Sequence, residues 1–351
     1  MNPKAANILV RADGGKIWGL SMGHIYRTLA VAQELRDHHG LTCRFLLRDI
    51  PEAVAMVRDH GFCHDLLPAE AKAAAESEAA ALARADEPIL LVDRPDPPPN
   101  GFGHFIRPNR RLVIIGPTGD KAQVPVDLWI DDLRPPSPDL PAHAMLGPRF
   151  AIMSKDFDGK FRDAVAPYAR NLLVTFGGSD PAGLTARVVA TLLESCLDMS
   201  MQVVLGPAFG DDADVIAAVA GDGRFVVKRN IPDLCTAMLA ADIVIAAAGR
   251  TALELAITGT PSLMVPSIDT EFVTAPYLEA CGSTRMVDPR RADFPDRLRA
   301  ELVSLAANHS ARDGMRLAGR ALVDGNGRQR VGDAIATLLQ KSRLTKTAVR
   351  S

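Results

Sequence analysis

Cysteine is scarce and unpatterned in this chain of 351 residues: there are five, Cys43, Cys63, Cys196, Cys235 and Cys281, an odd number with no C-x-x-C pair. That argues against a disulfide framework and against a zinc ribbon. A basic surplus is also missing, since Lys and Arg number 40 against 42 for Asp and Glu, a formal charge of -2. Domains that work by neutralising nucleic-acid phosphates carry a clear excess of positive charge, so no nucleic-acid partner is expected. No apolar run approaches the roughly 18 to 20 residues of a membrane span, and Met1 to Asn7 shows no basic-then-apolar signal pattern. The expectation is a soluble protein of a reducing compartment, the cytoplasm. Aromatic residues make up only 5% of the chain, so the core must be built from Ala, Val, Leu and Ile. That composition suits parallel strands covered by helices better than a β-sandwich.

What is present is an alternation of short apolar runs with helix-period segments. Strands are expected at Asn7 to Ala12, Thr42 to Leu47, Phe62 to Leu66, Ile89 to Asp93 and Arg111 to Ile115, with helices at Gly23 to His38, Pro51 to His60 and Ala69 to Arg84 between them. Five prolines between Leu133 and Pro148 interrupt the pattern and mark a boundary. A second cycle follows, with strands at Asn171 to Thr175, Met201 to Leu205, Arg224 to Val227, Asp242 to Ala247 and Ser262 to Val265, and helices at Pro181 to Cys196, Asp211 to Ala220, Pro232 to Ala240 and Thr251 to Thr258. The expected fold class is α/β, two Rossmann-like doubly wound parallel-sheet domains, at 1–150 and 151–341, with a polar tail at 342–351.

In open α/β sheets ligands sit beyond the carboxyl ends of the strands, so the strand-to-helix loops are where chemistry is expected. The first runs from Arg11 to Arg27 and delivers His24 at a helix start beside Gly23. The positive end of the helix dipole disfavours imidazolium, which suits a neutral base; the competing reading is a histidine that caps the helix or packs under the loop. In the second, Phe176-Gly177-Gly178-Ser179-Asp180-Pro181, Asp180 and Pro181 read as N-cap and first helical residue. The glycines then offer backbone N–H groups to an anion, or supply only turn geometry. The third, Gly249-Arg250-Thr251 followed by Glu254, has the same form. It suits a phosphate and a ribose diol, or Glu254 is an ordinary first-turn acid.

Other signals are weaker. Gly14 and Gly19 are followed by Leu20-Ser21 where a P-loop needs Lys and then Ser or Thr, and no G-x-G-x-x-G is found in this loop. His60, Cys63 and His64 have metal-like spacing, but Gly61 breaks the helix between them, and no metal is expected. Asp131-Asp132 and Asp211-Asp212 read as a strand end and a helix start, and Arg110 and Arg111 as solvated charges flanking a strand. The apolar face of the helix Ala69 to Arg84 reads as core.

The three loops, with Leu146 to Ile152, Asp156-Phe157 and Pro261 to Leu263, resemble the pseudaminic-acid pathway hydrolase family, which removes UDP from UDP-2,4-diacetamido-2,4,6-trideoxy-β-L-altropyranose, and the SpsG-like spore-coat polysaccharide proteins. The resemblance spans roughly residues 7 to 285. It implies the GT-B architecture, two Rossmann-like domains facing a cleft, with the nucleotide gripped by the C-terminal half and the sugar-side chemistry supplied by the N-terminal half. It places the catalytic role on His24 and sugar-side roles on Arg11, Asp13, Gly23, Tyr26, Arg27, Asp93, Asp269 and Thr270. It assigns nucleotide binding to Gly177, Gly178, Ser179, Ile231, Gly249, Arg250, Thr251 and Glu254, with the backbone of Asn230 to Pro232 along the uracil edge. The implied reaction is attack of water on the anomeric carbon of a UDP-sugar with inversion, without metal or cofactor, in the cytoplasm. Other enzymes of the same sugar pathway are the implied partners, and flagellin glycosylation is one setting of that pathway.

The chain departs from the family's pattern on the sugar side. The stretch from Asp13 to His24 is longer, Ser21 replaces a glycine, Asp93-Arg94-Pro95 lacks the tyrosine of Asp-x-Tyr, and Asp269-Thr270-Glu271 replaces Asp-Asn-Gln. A GT-B glycosyltransferase using a UDP-sugar donor is the alternative, and a non-catalytic nucleotide-sugar binder is a third reading.

Overall fold

A computed structural model describes residues 6–15, 20, 22–94, 103–116, 126–137 and 141–342, and the backbone of 343–348. Gly19, Ser21 and Pro95, singled out above, lie outside the described residues. The chain divides into two compact units, Met1–Ser154 with Asn326–Ser351, and Lys155–Gly325.

The first unit begins with β1 (Ile8–Ala12), α1 (Gly23–His39), β2 (Cys43–Arg48), α2 (Pro51–Asp59), β3 (Cys63–Leu67), α3 (Ala71–Arg84), β4 (Ile89–Asp93), β5 (Arg111–Ile115), β6 (Leu128–Asp131) and β7 (Ala144–Leu146). The strands form one parallel sheet in the order β3-β2-β1-β4-β5-β6-β7. Strand periodicity distributes the side chains over two layers. Ile8, Val10, Ala12 and Leu91 enter the core with Ile25, Leu29 and Leu35 of α1. Leu9, Leu90 and Val92 face the opposite core with Ala74 and Leu82 of α3. This alternation matters for the site, because it sends Arg11 toward α3 and Asp93 toward α1.

The second unit contains β8 (Asn171–Thr175), α4 (Leu184–Leu193), β9 (Ser200–Leu205), α5 (Ala213–Val219), β10 (Phe225–Arg229), α6 (Leu234–Ala240), β11 (Ile243–Ala246), α7 (Arg250–Thr258), β12 (Ser262–Met264), α8 (Glu271–Ala280), β13 (Arg285–Met286), α9 (Phe294–Ala307) and α10 (His309–Leu322). Its parallel sheet has the order β10-β9-β8-β11-β12-β13. Each sheet reverses its direction of growth once, between β1 and β4 and between β8 and β11, and these switch points are where doubly wound sheets hold ligands.

Several expectations differ from what is found, and Arg110, expected to be a solvated charge, is buried and donates to the carbonyls of Glu87, Leu82 and Ala85. The prolines after Leu133 do not end the first sheet. Pro135, Pro136, Pro141 and Pro148 flank β7, an edge strand with one neighbour, where proline costs no central ladder bond, and Pro138 lies outside the described residues. The first unit therefore runs on to Ser154, past the expected boundary at 150. The last helix, α11 (Gly327–Ala348), belongs to the first unit and not to the expected domain 151–341. Its Val331, Ile335 and Leu339 repeat every four residues on one face and are buried in the same core as Leu35. The helix also runs through most of the stretch expected to be a polar tail at 342–351. Among the described residues no helix is long and apolar enough to cross a membrane.

Candidate active site

In the first unit the switch point is lined by the end of β1, the end of β4 and the start of α1. Gly23 is the first residue of α1, and no side chain caps that end. His24 follows, and its Nδ1 lies 2.7 Å from Asp93 Oδ1, a residue 69 positions away at the last position of β4. Arg27, one turn further along α1, donates from Nε to Asp93 Oδ2 and from Nη2 to Asp93 Oδ1, both at 2.6 Å. Burial alone would raise the Asp93 carboxyl, but Arg27 and His24 hold it down at about 2. An ionised carboxylate accepts hydrogen bonds only, so His24 Nδ1 carries a proton, and in the neutral ring Nε2 is then the nitrogen with the lone pair. Tyr26, two residues after His24 on α1, is 51% exposed.

Arg11 and Asp13, expected on the sugar side, are brought together on the α3 face. Arg11 donates from Nη1 and Nη2 to the two Asp13 oxygens at 2.6 and 2.8 Å, and from Nε to Glu78. Asp13 also accepts from the Arg48 amide at 2.9 Å. Glu78 further receives Arg94 Nη1, 3.0 Å from both oxygens, and His104 Nε2 at 2.9 Å. The helix α3 is therefore not simply core. Glu78 stands midway between Ala74 and Leu82 on its buried stripe, and a charged residue at that spacing was the readable sign of a buried ion network.

Asp131 and Asp132 do mark a strand end, as expected, but they also lie close to this site. Asp132 is 3.9 Å from Arg27 Nη1. Burial, with Asp132 beside it, pushes the Asp131 carboxyl up to about 6 from its ordinary 3.8. Between those two values the folded chain holds this proton more tightly than the unfolded chain does, so stability falls as pH rises through that window and stays lower above it. Asp131→Asn is expected to raise stability at neutral pH by on the order of 1–3 kcal/mol and to change little below about pH 3.5. Urea midpoints at the two pH values check this, and equal midpoints at neutral pH would count against it.

In the second unit the loop after β8 turns through Gly177, with φ of 73°, and Asp180, with φ of 45°. The helix expected from Pro181 starts at Leu184 and ends at Leu193 instead of Cys196. Gly183 sits in the left-handed region, so residues 181–183 form a turn, and the Asp180 carboxylate accepts from the Leu184 and Thr185 amides at 2.9 and 2.7 Å. The first amides of α4 are thus capped from within, and only the loop Gly177, Gly178 and Ser179 stays on offer to an anion. A glycine that sequence reading missed fixes this loop. A Cβ on Gly206 would lie 2.1 Å from the Gly177 carbonyl oxygen, so only glycine lets the end of β9 approach so closely.

At the other side of this switch point, Gly249 precedes α7 without any side-chain cap, and Arg250 and Thr251 open the helix. Glu254 lies one turn in, where burial pushes its carboxyl up against the opposing effect of Arg250. Asn230 leaves β10 with φ of 49°, its amide donating to the Leu205 carbonyl at 2.8 Å, and Ile231 and Pro232 follow. Asp269 and Thr270 are exposed at the start of α8. Glu271, which was not among the expected site residues, is buried beside Gly249.

No protein-family profile matches the chain. It is 22% identical over 283 residues to the protein MJ1062 of Methanocaldococcus jannaschii, covering 74% of this chain and 55% of that protein. It is 25% identical over 198 residues to the spore coat polysaccharide biosynthesis protein SpsG of Bacillus subtilis, covering 56% of this chain and 58% of SpsG. The chain thus spans a little over half the length of these curated relatives. Among solved structures, MurG of Acinetobacter baumannii superposes with a TM-score of 0.68 at 18% identity over 95% of this chain and 99% of its own. A glycotransferase of kitacinnamycin gives 0.67 at 18% identity over 96% and 100%. With its two parallel-sheet α/β units, the chain has the GT-B fold.

Proposed function

We propose that the chain is an enzyme of polysaccharide or nonulosonic-acid biosynthesis that releases UDP from a UDP-2,4-diacetamido-2,4,6-trideoxyhexose by attack of water on the anomeric carbon. The observation that carries it is the Asp93–His24 pair at a topological switch point, clamped by Arg27. Asp93 keeps the proton on Nδ1, so Nε2 of His24 takes one proton from water as its oxygen bonds to the anomeric carbon. The bond from that carbon to the β-phosphate oxygen breaks, and its electron pair leaves with UDP. Gly177, Gly178, Ser179, Gly249, Arg250 and Thr251 are assigned to the diphosphate, Glu254 to the ribose and Ile231 to the uracil edge. Backbone N–H groups at loop and helix starts stabilise the charge of the departing diphosphate. Arg27 and Asp93 orient the base, and Asp269 and Thr270 are assigned to the sugar. The likeness to SpsG, named for polysaccharide biosynthesis, supports the pathway class.

The test is UDP release from UDP-activated diacetamido-trideoxyhexoses. His24→Ala is expected to lower the rate by about 10² to 10⁴. Undiminished release by the variant, or none by the parent, sinks the mechanism. A second reading, transfer of the sugar to an acceptor, is favoured by the likeness to MurG across nearly the whole chain. A glycosylated product, with only slow UDP release when acceptor is absent, would decide for it.

A further inference from the structure

Glu271 is the residue of the second unit that the proposed reaction leaves unused and that the fold places most deliberately. Its Oε2 accepts from the Ser267 amide at 2.6 Å and from the Ser267 hydroxyl at 2.8 Å. The nearby amides of Ala248 and Ile268 also act to hold the carboxyl down. A Cβ on Gly249 would stand 2.9 Å from Oε1, so the glycine ahead of α7 is what admits this side chain. The carboxyl group therefore lies on the turn between β11 and α7, next to the helix start assigned to the diphosphate.

Resting on that assignment, we infer that Glu271 is a proton-linked gate of the diphosphate site: a nucleotide diphosphate and one proton bind together, the proton going to Glu271. The neutral acid then donates a hydrogen bond to a phosphate oxygen, where the carboxylate would repel it. Burial already pushes the Glu271 carboxyl above its ordinary value, and an adjacent phosphate pushes it the same way. The charged residues nearest in sequence on the segments it touches are Asp269 on its own loop and Arg250 and Glu254 on α7, and Ser267 and the Ala248 amide are the neutral donors.

The probe is the β-methyl ester of UDP, both of whose phosphates keep one charge each across the neutral range. Its binding to the full chain and to Glu271→Gln is followed by titration calorimetry from about pH 5.5 to 8.5, in two buffers of different ionisation enthalpy. Affinity of the parent is expected to fall by about tenfold per pH unit at the alkaline end, with uptake of about one proton, while Glu271→Gln binds at a pH-independent affinity. A flat profile in the parent, or the same slope in the variant, overturns the gate and leaves the nucleotide site standing. Absence of binding by both proteins overturns the nucleotide assignment and the gate with it.

Discussion

Asp93→Ala is expected to cost this protein both activity and stability, through two different consequences of the same deletion. Asp93 is fully buried and is the acceptor for two Arg27 donors and for His24 Nδ1. Removing it leaves the buried Arg27 with Asp132, at 3.9 Å, as its remaining ion-pair partner among the described residues. Breaking a buried pair from one side costs about 3–5 kcal/mol, because the remaining charge stays desolvated. Urea unfolding at neutral pH measures that loss directly. Asp93→Asn separates the two effects, since it keeps the shape but offers an N–H where His24 needs an acceptor. The wrong tautomer then faces the substrate, and a rate loss of about 10² to 10⁴ is expected with a smaller loss of stability. If Asp93→Asn turns over UDP-sugar at the parental rate, His24 is not oriented by this carboxylate. The pH dependence has a definite sign. Asp93 is held at about 2, below its ordinary 3.8, so its contribution to stability is present above the unfolded value and is lost as pH falls toward about 2.

Glu78→Ala is the second large effect, and here the loss is structural. Glu78 receives Arg11 Nε, Arg94 Nη1 and His104 Nε2 on a helix face that otherwise presents Ala74 and Leu82 to the sheet. Arg11, itself almost wholly buried, keeps Asp13, while Arg94 loses its hydrogen-bonded partner. A destabilisation of about 3–5 kcal/mol is expected, of the size seen when one member of a buried ion cluster is removed. Arg11 and Arg94 hold the Glu78 carboxyl below its ordinary value against the effect of burial. Its stabilisation is therefore present above the unfolded value near 4.5 and lost as pH falls below it. The variant should show a shallower decline of stability between about pH 5 and 3 than the parent. Parallel declines, or a loss within about 0.5 kcal/mol, would mean that Glu78 merely fills space.

The same residues show where sequence reading succeeds and where it stops. Strands such as Ile89 to Asp93 and Asn171 to Thr175 were legible to the residue, because a buried parallel strand is a short apolar run bounded by turn residues. His24 and Gly249 were legible as residues at helix starts, since glycine beside a strand end marks such loops. The start of α4 was not. Asp180-Pro181 has the pattern of a cap and first helical residue, yet Gly183 three positions on takes the left-handed conformation and the carboxylate reaches forward to Leu184 and Thr185. Local pattern does not decide between two such caps; the packing of the loop on Gly206 does.

What the sequence determined by itself is everything that depends on neighbours along the chain: alternating strands and helices, parallel pairing, two doubly wound cycles, and glycine-bearing loops at their carboxyl ends. Periodicity and turn chemistry act over a few residues, so they can be read in one dimension. Tertiary structure alone decided which charges meet. Asp93 lies 69 residues from His24, Glu78 lies 67 from Arg11, and α11 returns to the unit it began beside only because its apolar face fits the core around Leu35. Those pairings follow from strand order and from which face of the sheet each side chain takes, quantities that exist only once the sheet has closed on its helices.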